Sequence, residues 1–130
     1  METAQKKILI AEDSFALANL LNFLFSNAGF EVSICRSGDA AAKAAQERKF
    51  DAILVDQQMP AMTGVEVITS VRANGPNLET PVFLCTAKTH ELDTKDLKAR
   101  LNITDVFHKP FSPKELVQAL QSAISDAACC

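Results

Sequence analysis

The sequence lacks several features by which large classes of protein are recognised. Its apolar runs, such as Ile8–Ala11 and Ala52–Val55, are far shorter than the ~20 residues that a membrane-spanning helix needs. The polar stretch Met1–Lys7 is not followed by the apolar segment of a signal peptide. No stretch is rich in lysine and arginine, and the formal net charge is −3. We therefore expect no direct contact with a membrane or with nucleic acid, because nucleic-acid binding depends on a basic surface.

Cysteine and the larger aromatic residues are also sparse. Cys35, Cys85, Cys129 and Cys130 show none of the paired spacings of a zinc site or a disulfide framework. We expect them to be free thiols in the reducing cytoplasm. Tryptophan and tyrosine are absent. This absence argues against a flavin-binding module, in which such rings stack on the isoalloxazine.

Length and composition predict one folded domain. The 130 residues match the usual size of a single domain. With 48% hydrophobic and 22% charged residues, the chain has enough apolar surface to exclude disorder. We expect residues 1–130 to form one domain, with an ordered core of about residues 6–125 and a frayed C-terminal tail.

Short apolar runs alternate with helical patterns along the chain. Continuous apolar runs are typical of strands buried on both faces, and a 3.6-residue apolar period is typical of helices. The predicted strands are Lys6–Ala11, Glu31–Cys35, Ala52–Val55, Thr80–Cys85 and Thr104–His108. The predicted helices are Ser14–Ala28, Gly38–Arg48, Gly64–Ala73, a segment within Thr89–Leu101, and a helix that begins at the capping sequence Ser112–Glu115 and ends near Ser125.

This alternation predicts an α/β fold, a doubly wound parallel sheet with helices on both faces. In the first helix, the expected core face consists of Leu17, Leu20, Leu21, Leu24 and Ala28. Ligands of such sheets bind outside the carboxyl ends of the strands. The residues that end the strands are therefore the candidates for function.

Those strand ends carry chemically reactive side chains. Glu12 and Asp13 follow the first strand, Asp56 the third, Thr86 the fourth and Lys109 the fifth. Carboxylates that lie close together repel one another unless a cation neutralises them. A hard divalent ion that keeps several waters suits such a cluster. A hydroxyl and an ammonium on the opposite side give the site a form that suits a phosphoryl group.

These residues resemble the motifs of the response-regulator receiver domain, the phosphoacceptor module of two-component phosphorelays. The resemblance rests on Glu12-Asp13, on Asp56 followed by Met59-Pro60 and Gly64, on Thr86-Ala87 and on Lys109-Pro110-Phe111. The motifs occur in the family's order and at its spacing over the whole chain. The resemblance implies a chemotaxis-regulator-like, flavodoxin-like fold with five parallel strands in the order 2-1-3-4-5 and five helices.

The resemblance also implies a role for each residue. Asp56 would accept a phosphoryl group from a histidine kinase or a histidine phosphotransfer protein, and Thr86 and Lys109 would bind that group. Mg²⁺, with Mn²⁺ as an alternative, would be bound by Asp13, by Asp56 and by the backbone carbonyl of Gln58. Glu12 would reach the ion mostly through water. The Lys109–Pro110 peptide would be cis, and the only reactions would be self-catalysed phosphotransfer and autodephosphorylation.

Two other functions remain open at this point. A small Mg²⁺-dependent phosphatase with an aspartyl nucleophile needs a second aspartate two residues after the first, where this chain has Gln58. A receiver domain that works without phosphorylation remains an alternative, although all the acceptor-site residues are present. The downstream partner, either a separate protein or an attached output domain, and the choice between a stand-alone protein and one domain of a larger regulator also stay open.

The sequence departs from the family at one position. Receivers commonly carry tyrosine or phenylalanine three residues before the lysine of the fifth strand, where this chain has Val106. Phe107 follows it, and adjacent strand residues point to opposite faces, so we expect Phe107 to lie in the core. We also expect Gln58 and Lys88 to border the path of the water that hydrolyses the phosphoryl group, and Lys88 to slow that hydrolysis.

Overall fold

The fold is described from a computed structural model, which describes residues 5–87 and 94–128. Five parallel strands form one sheet in the order β2-β1-β3-β4-β5, as predicted. The strands are β1 (Lys7–Ala11), β2 (Glu31–Cys35), β3 (Ala52–Asp56), β4 (Val82–Thr86) and β5 (Asp105–His108). The helices are α1 (Phe15–Asn27), α2 (Gly38–Glu47), α3 (Gly64–Ala73), α4 (Thr94–Leu101) and α5 (Pro113–Ala128).

The helices cover both faces of the sheet and create two apolar cores. Apolar side chains of α2, α3 and α4 pack on one face. Those of α1 and α5 pack on the other. All five residues of β3 and of β4 are buried, because helices lie above and below these central strands. The uninterrupted apolar runs of the sequence follow from this two-sided burial.

Several predicted boundaries and one predicted face need correction. The strands β3 and β4 each extend one residue further than predicted, so that Asp56 and Thr86 are their last residues. Of the predicted core face of α1, Leu21 is buried and Leu17 packs against the core, but Ala18 and Phe25 are the other buried residues and Leu20 is 43% exposed. Ala28, predicted to be inside, is also exposed. The helix has no charged residue, so its apolar period could not distinguish the inner face from the outer one.

The amino-terminal edge of the sheet is joined by two polar side chains. The fully buried Asn77 accepts a hydrogen bond from Phe50 N at 2.8 Å and donates to the carbonyls of Ala45 and Arg48. The Arg72 guanidinium donates to five backbone carbonyls, those of Asn77, Leu78, Thr80, Leu101 and Asn102. Together they connect the ends of α2, α3 and α4.

Some predictions concern residues that the structure does not describe. Lys88, Cys129 and Cys130 lie outside the described residues. Of the other cysteines, Cys85 is buried and Cys35 is half-buried, and both are free thiols. Within the described residues, the longest and most apolar helices fall short of what a membrane crossing requires.

Candidate functional site

Three carboxylates converge at the carboxyl edge of the sheet. Glu12 and Asp13 follow β1, and Asp56 ends β3, which pairs directly with β1 through Ala11 and Val55. One carboxylate oxygen from each of the three lies within 4.8 Å of the others. Glu12 and Asp56 are buried, whereas Asp13 is exposed. The strand pairing therefore brings together the three acids that the sequence places at separate strand ends.

Lys109 is the cation that faces these acids. Its Nζ lies 3.1 Å from Asp56 Oδ2 and 3.4 Å from Glu12 Oε1. Its backbone N–H donates to the Thr86 carbonyl at 2.8 Å, which fixes the start of the loop after β5. The Lys109–Pro110 peptide bond is cis, as the resemblance implied. Thr86 itself is fully buried at the end of β4.

The electrostatics of the cluster reflect burial and crowding. Burial raises the pKa of Glu12, the backbone N–H of Ser14 opposes this rise, and the nearby Asp56 charge adds to it. Burial lowers the pKa of Lys109, but its hydrogen bond to Asp56 and the charges of both acids outweigh burial and raise the pKa overall. Lys109 is therefore charged near neutral pH, and one ammonium faces three carboxyl groups.

One carboxylate oxygen of Asp56 accepts a hydrogen bond, and the other accepts none from the described residues. Oδ2 accepts the hydrogen bond from Lys109. Oδ1 is buried and has no hydrogen-bond partner among the described residues. A buried carboxylate oxygen without a partner is destabilising unless a cation or a donor approaches it. The donor set, with three carboxylate oxygens at one point, therefore fits a hard divalent cation.

The turn that carries Glu12 and Asp13 is fixed from both sides. Ser14 N donates to Glu12 Oε2 at 3.0 Å, and Ser14 Oγ caps α1 by accepting from Leu17 N. On the other side, Arg36 donates to the Asp13 carbonyl at 2.8 Å. The Arg36 guanidinium also lies over the Phe15 ring, 5.1 Å from its centroid.

The loop after β3 is fixed by Gln57. Its backbone N–H donates to Cys85 O, and its carbonyl accepts from Gly64 N. Its side-chain Oε1 accepts from Val65 N at 2.9 Å, so it satisfies an amide in the first turn of α3. Gln58 follows on this loop with an exposed side chain. The main chain around the proposed carbonyl ligand is thus anchored to α3.

Five residues were predicted from the sequence to lie at this edge, and all five lie there in the structure. Glu12, Asp13, Asp56, Thr86 and Lys109 end or follow β1, β3, β4 and β5. Arg36 and Gln57 were missed because long polar side chains carry no periodic signal. The position of Arg36 follows from the pairing of β1 with β2. Because Ala11 pairs with Cys35, residue 36 lies beside the turn after β1.

Comparison with known proteins shows clear similarity along most of the chain. The family model described as response regulator receiver domain matches residues 8–121. The chain is 32% identical over 124 residues to the DNA-binding response regulator MtrA of Mycobacterium tuberculosis H37Rv, covering 95% of this chain and 53% of MtrA. It is 35% identical over 111 residues to the alkaline phosphatase synthesis transcriptional regulatory protein PhoP of Bacillus subtilis, covering 85% and 45%. The chain thus spans about half the length of these relatives.

Solved structures with the same fold are also similar in sequence. The chemotaxis protein CheY4 of Vibrio cholerae superposes with a TM-score of 0.82 at 32% identity, covering 92% of this chain and 99% of CheY4. The receiver domain of the sensor histidine kinase PA1611 of Pseudomonas aeruginosa PAO1 gives a TM-score of 0.82 at 25% identity, covering 94% and 99%. That structure holds a magnesium ion coordinated in its active-site cleft.

Proposed function

This chain belongs to the response regulator receiver domain family of two-component signalling systems, and from this premise we propose that it is a switch whose phosphoryl acceptor is Asp56. The observation that carries the proposal is the state of the Asp56 carboxylate. One oxygen pairs with Lys109, and the other is buried at the strand end without a partner. A carboxylate that pairs with a lysine through one oxygen and has an unpartnered second oxygen can bind a cation and a phosphoryl group together.

The proposed reaction uses the chemistry of this edge. A carboxylate oxygen of Asp56 attacks the phosphorus of a phosphohistidine, and an acyl phosphate forms. The P–N bond breaks, and the imidazole nitrogen keeps the electron pair. Lys109, already 3.1 Å from Asp56, neutralises the charge that gathers on the phosphoryl oxygens. Thr86 supplies a hydroxyl at the end of the neighbouring strand β4.

The carboxylates would also hold a divalent cation, which would neutralise charge between the acids and the phosphoryl group. Asp13 and Asp56 would ligate it directly, the Gln58 carbonyl would add a main-chain oxygen, and Glu12 would act mostly through water. Three carboxylate oxygens within 4.8 Å support this assignment. The magnesium in the PA1611 receiver domain makes Mg²⁺ the expected ion, with Mn²⁺ as the alternative.

The partner that supplies the phosphoryl group is a histidine kinase or a histidine phosphotransfer protein. The signal then passes to a downstream protein or to an attached output domain. MtrA is named as DNA-binding, but the net charge of −3 favours protein contacts over nucleic acid for the residues of this chain. We place residues 1–130 in one receiver domain that acts in the cytoplasm, away from the membrane.

Two other functions fit the chain less well. An aspartyl-nucleophile phosphatase would need a general acid two residues after Asp56, where Gln58 cannot donate a proton. A receiver that works without phosphorylation would have no need of a buried, unpartnered carboxylate oxygen beside a lysine. We therefore assign no catalytic turnover beyond self-catalysed phosphotransfer and autodephosphorylation.

Incubation with acetyl phosphate and Mg²⁺ tests the proposal, with intact mass as the readout. The wild-type chain should gain one phosphoryl group, and Asp56→Asn should gain none. Asp51→Asn is the matched control, because Asp51 lies at the other end of β3 and accepts a hydrogen bond from Lys7 N. Excess chelator should stop the labelling. Full labelling of Asp56→Asn would show that the acceptor is a different residue.

A further inference from the structure

Arg36 makes two contacts with the turn after β1. Its Nη2 donates to the Asp13 carbonyl at 2.8 Å. Its guanidinium lies 5.1 Å from the centroid of Phe15, the first residue of α1. Phe15 is 66% exposed, although it is a large apolar side chain. The exposed ring therefore makes a cation–π contact with the Arg36 guanidinium and helps to hold it in place.

Asp13 depends on this contact more than its neighbours do. Glu12 has its two carboxylate oxygens fixed by Ser14 N and by Lys109. Asp56 is fixed by Lys109 and by its place in β3. The carboxylate of Asp13 is exposed and accepts no hydrogen bond from the described residues. The main chain of Asp13, which the Arg36 hydrogen bond fixes, therefore sets where the carboxylate is attached and which positions it can reach.

On the function proposed above, we propose that Arg36 is a positioning residue for the divalent cation. It acts through the Asp13 main chain, with Phe15 as its support, and directs the Asp13 carboxylate toward Asp56. A partner that orients a metal ligand commonly changes metal affinity by about 10- to 100-fold when it is removed. Arg36 thereby contributes to ion binding without touching the ion.

The positive charge of Arg36 makes this proposal easy to distinguish from a simple electrostatic effect. A cation beside the acidic cluster repels Mg²⁺, so removal of the charge alone would strengthen Mg²⁺ binding. Loss of positioning would weaken it. The two effects have opposite signs, and the sign of the change in affinity identifies which one dominates.

The experiment measures Mg²⁺ affinity of the full chain by titration calorimetry, with thermal unfolding recorded for each variant. Arg36→Gln should bind Mg²⁺ about 10-fold more weakly than wild type. Phe15→Leu keeps the charge but removes the ring, and it should also weaken binding. Arg48→Gln is the matched control, because Arg48 also stacks on a phenylalanine, Phe50, at 5.1 Å but is not part of the site.

Each outcome has a clear meaning. Weaker binding in Arg36→Gln and Phe15→Leu, with Arg48→Gln close to wild type, supports the positioning role. Equal or tighter binding in Arg36→Gln overturns it, and unchanged binding in Phe15→Leu overturns the part given to the ring. If the wild-type chain itself binds no Mg²⁺, the metal site of the proposed function fails instead.

Discussion

Lys109 shares its single positive charge between two buried carboxylates. It contacts Asp56 and Glu12 at once, and the exposed Asp13 completes a cluster of three carboxylates for which Lys109 provides one ammonium. Buried carboxylates are stable only with partners, so this arrangement leaves a deficit of positive charge. This deficit of positive charge is the physical reason why a divalent cation would stabilise the cluster.

The three acids should contribute unequally to binding of that ion. Asp13→Asn should weaken Mg²⁺ binding strongly, because its carboxylate has no other partner among the described residues. Glu12→Gln should weaken it less, because Glu12 already binds Ser14 N and Lys109. Titration calorimetry measures both, with Asp51→Asn as the control for a lost negative charge. A larger loss in Glu12→Gln than in Asp13→Asn would contradict the assignment of Asp13 as a direct ligand.

At the residue scale, the sequence predicts positions better than contacts. The places of Asp56, Thr86 and Lys109 follow from strand ends and parallel pairing, so they could be predicted. The contacts of Arg36 and Gln57 could not. Each depends on where a long side chain meets a backbone atom in another segment, and no spacing in the sequence encodes that meeting.

The loop between β3 and α3 holds the proposed acceptor, Asp56, against the first turn of α3. At Gly64, an added Cβ would lie 2.7 Å from the Asp56 carbonyl oxygen and 2.9 Å from Gln57 Cα. Those are backbone atoms, so the first turn of α3 touches the acceptor strand with no room for a side chain.

A comparison of two glycine substitutions tests this close approach. Gly64→Ala should reduce the free energy of unfolding by about 2 kcal/mol through overpacking and should slow labelling by acetyl phosphate. Gly29→Ala should also reduce it, by about 1–2 kcal/mol, because Gly29 has φ +98°. No atom lies within 4 Å of a Cβ at Gly29, so its labelling rate should stay that of wild type. Equal labelling rates in both variants would contradict the proposed link between α3 and Asp56.

The loop before β4 is attached to the fold by Asn77. Asn77→Ala should lower the free energy of unfolding by about 3 kcal/mol, because the buried backbone groups of Phe50 and Ala45 and the part-buried carbonyl of Arg48 lose their partner. Denaturant unfolding measures the change. Asn74→Ala is the matched control on the same loop, because Asn74 is exposed. A loss below about 1 kcal/mol in Asn77→Ala would mean that water replaces these hydrogen bonds.

At the element scale, the order and type of the elements could be predicted, and one helix face could not. The alternation of apolar runs and right-handed crossovers predict a doubly wound parallel sheet, whereas the strand order was implied only by the resemblance to receiver domains. The predicted inner face of α1 was only partly correct, because Leu20 and Phe23 are as apolar as the residues that face the core, such as Leu21. In the structure, Phe25 lies in the core and its ring is 5.9 Å from that of Phe30.

In the whole molecule, β5 places two apolar side chains on opposite sides. Val106 packs with the α2, α3 and α4 side, and Phe107 packs with the α1 and α5 side. Phe107 is only partly buried, but its ring lies 6.0 Å from Phe83 and 6.4 Å from Phe111. It therefore belongs to the other core and does not replace the aromatic ring that receivers commonly carry at position 106.

The structural change that phosphorylation causes along β5 should accordingly be small. With beryllofluoride and Mg²⁺ as a phosphoryl mimic, amide shifts should change mainly near Thr86 and Lys109, because valine has no ring to reorient. Heteronuclear NMR of the full chain measures the shifts. Val106→Tyr, which supplies the missing ring, should extend the changes along β5. Large changes at Val106 in the wild-type chain would refute the prediction.

The guanidinium of Arg72 lies at the opposite edge of the sheet from the proposed phosphoryl site and should restrict motion at that end of the molecule. Five carbonyls, two at the end of α4 and three in the loop before β4, accept hydrogen bonds from it, so neither segment can move away from α3 alone. Amide protons at this end should exchange with solvent only when the whole fold opens, whereas those of the site loops should exchange through local openings. We therefore expect the end of the sheet at Arg72 to be rigid and the loops at the other end to move more easily, so that phosphorylation of Asp56 would displace those loops without loosening the sheet.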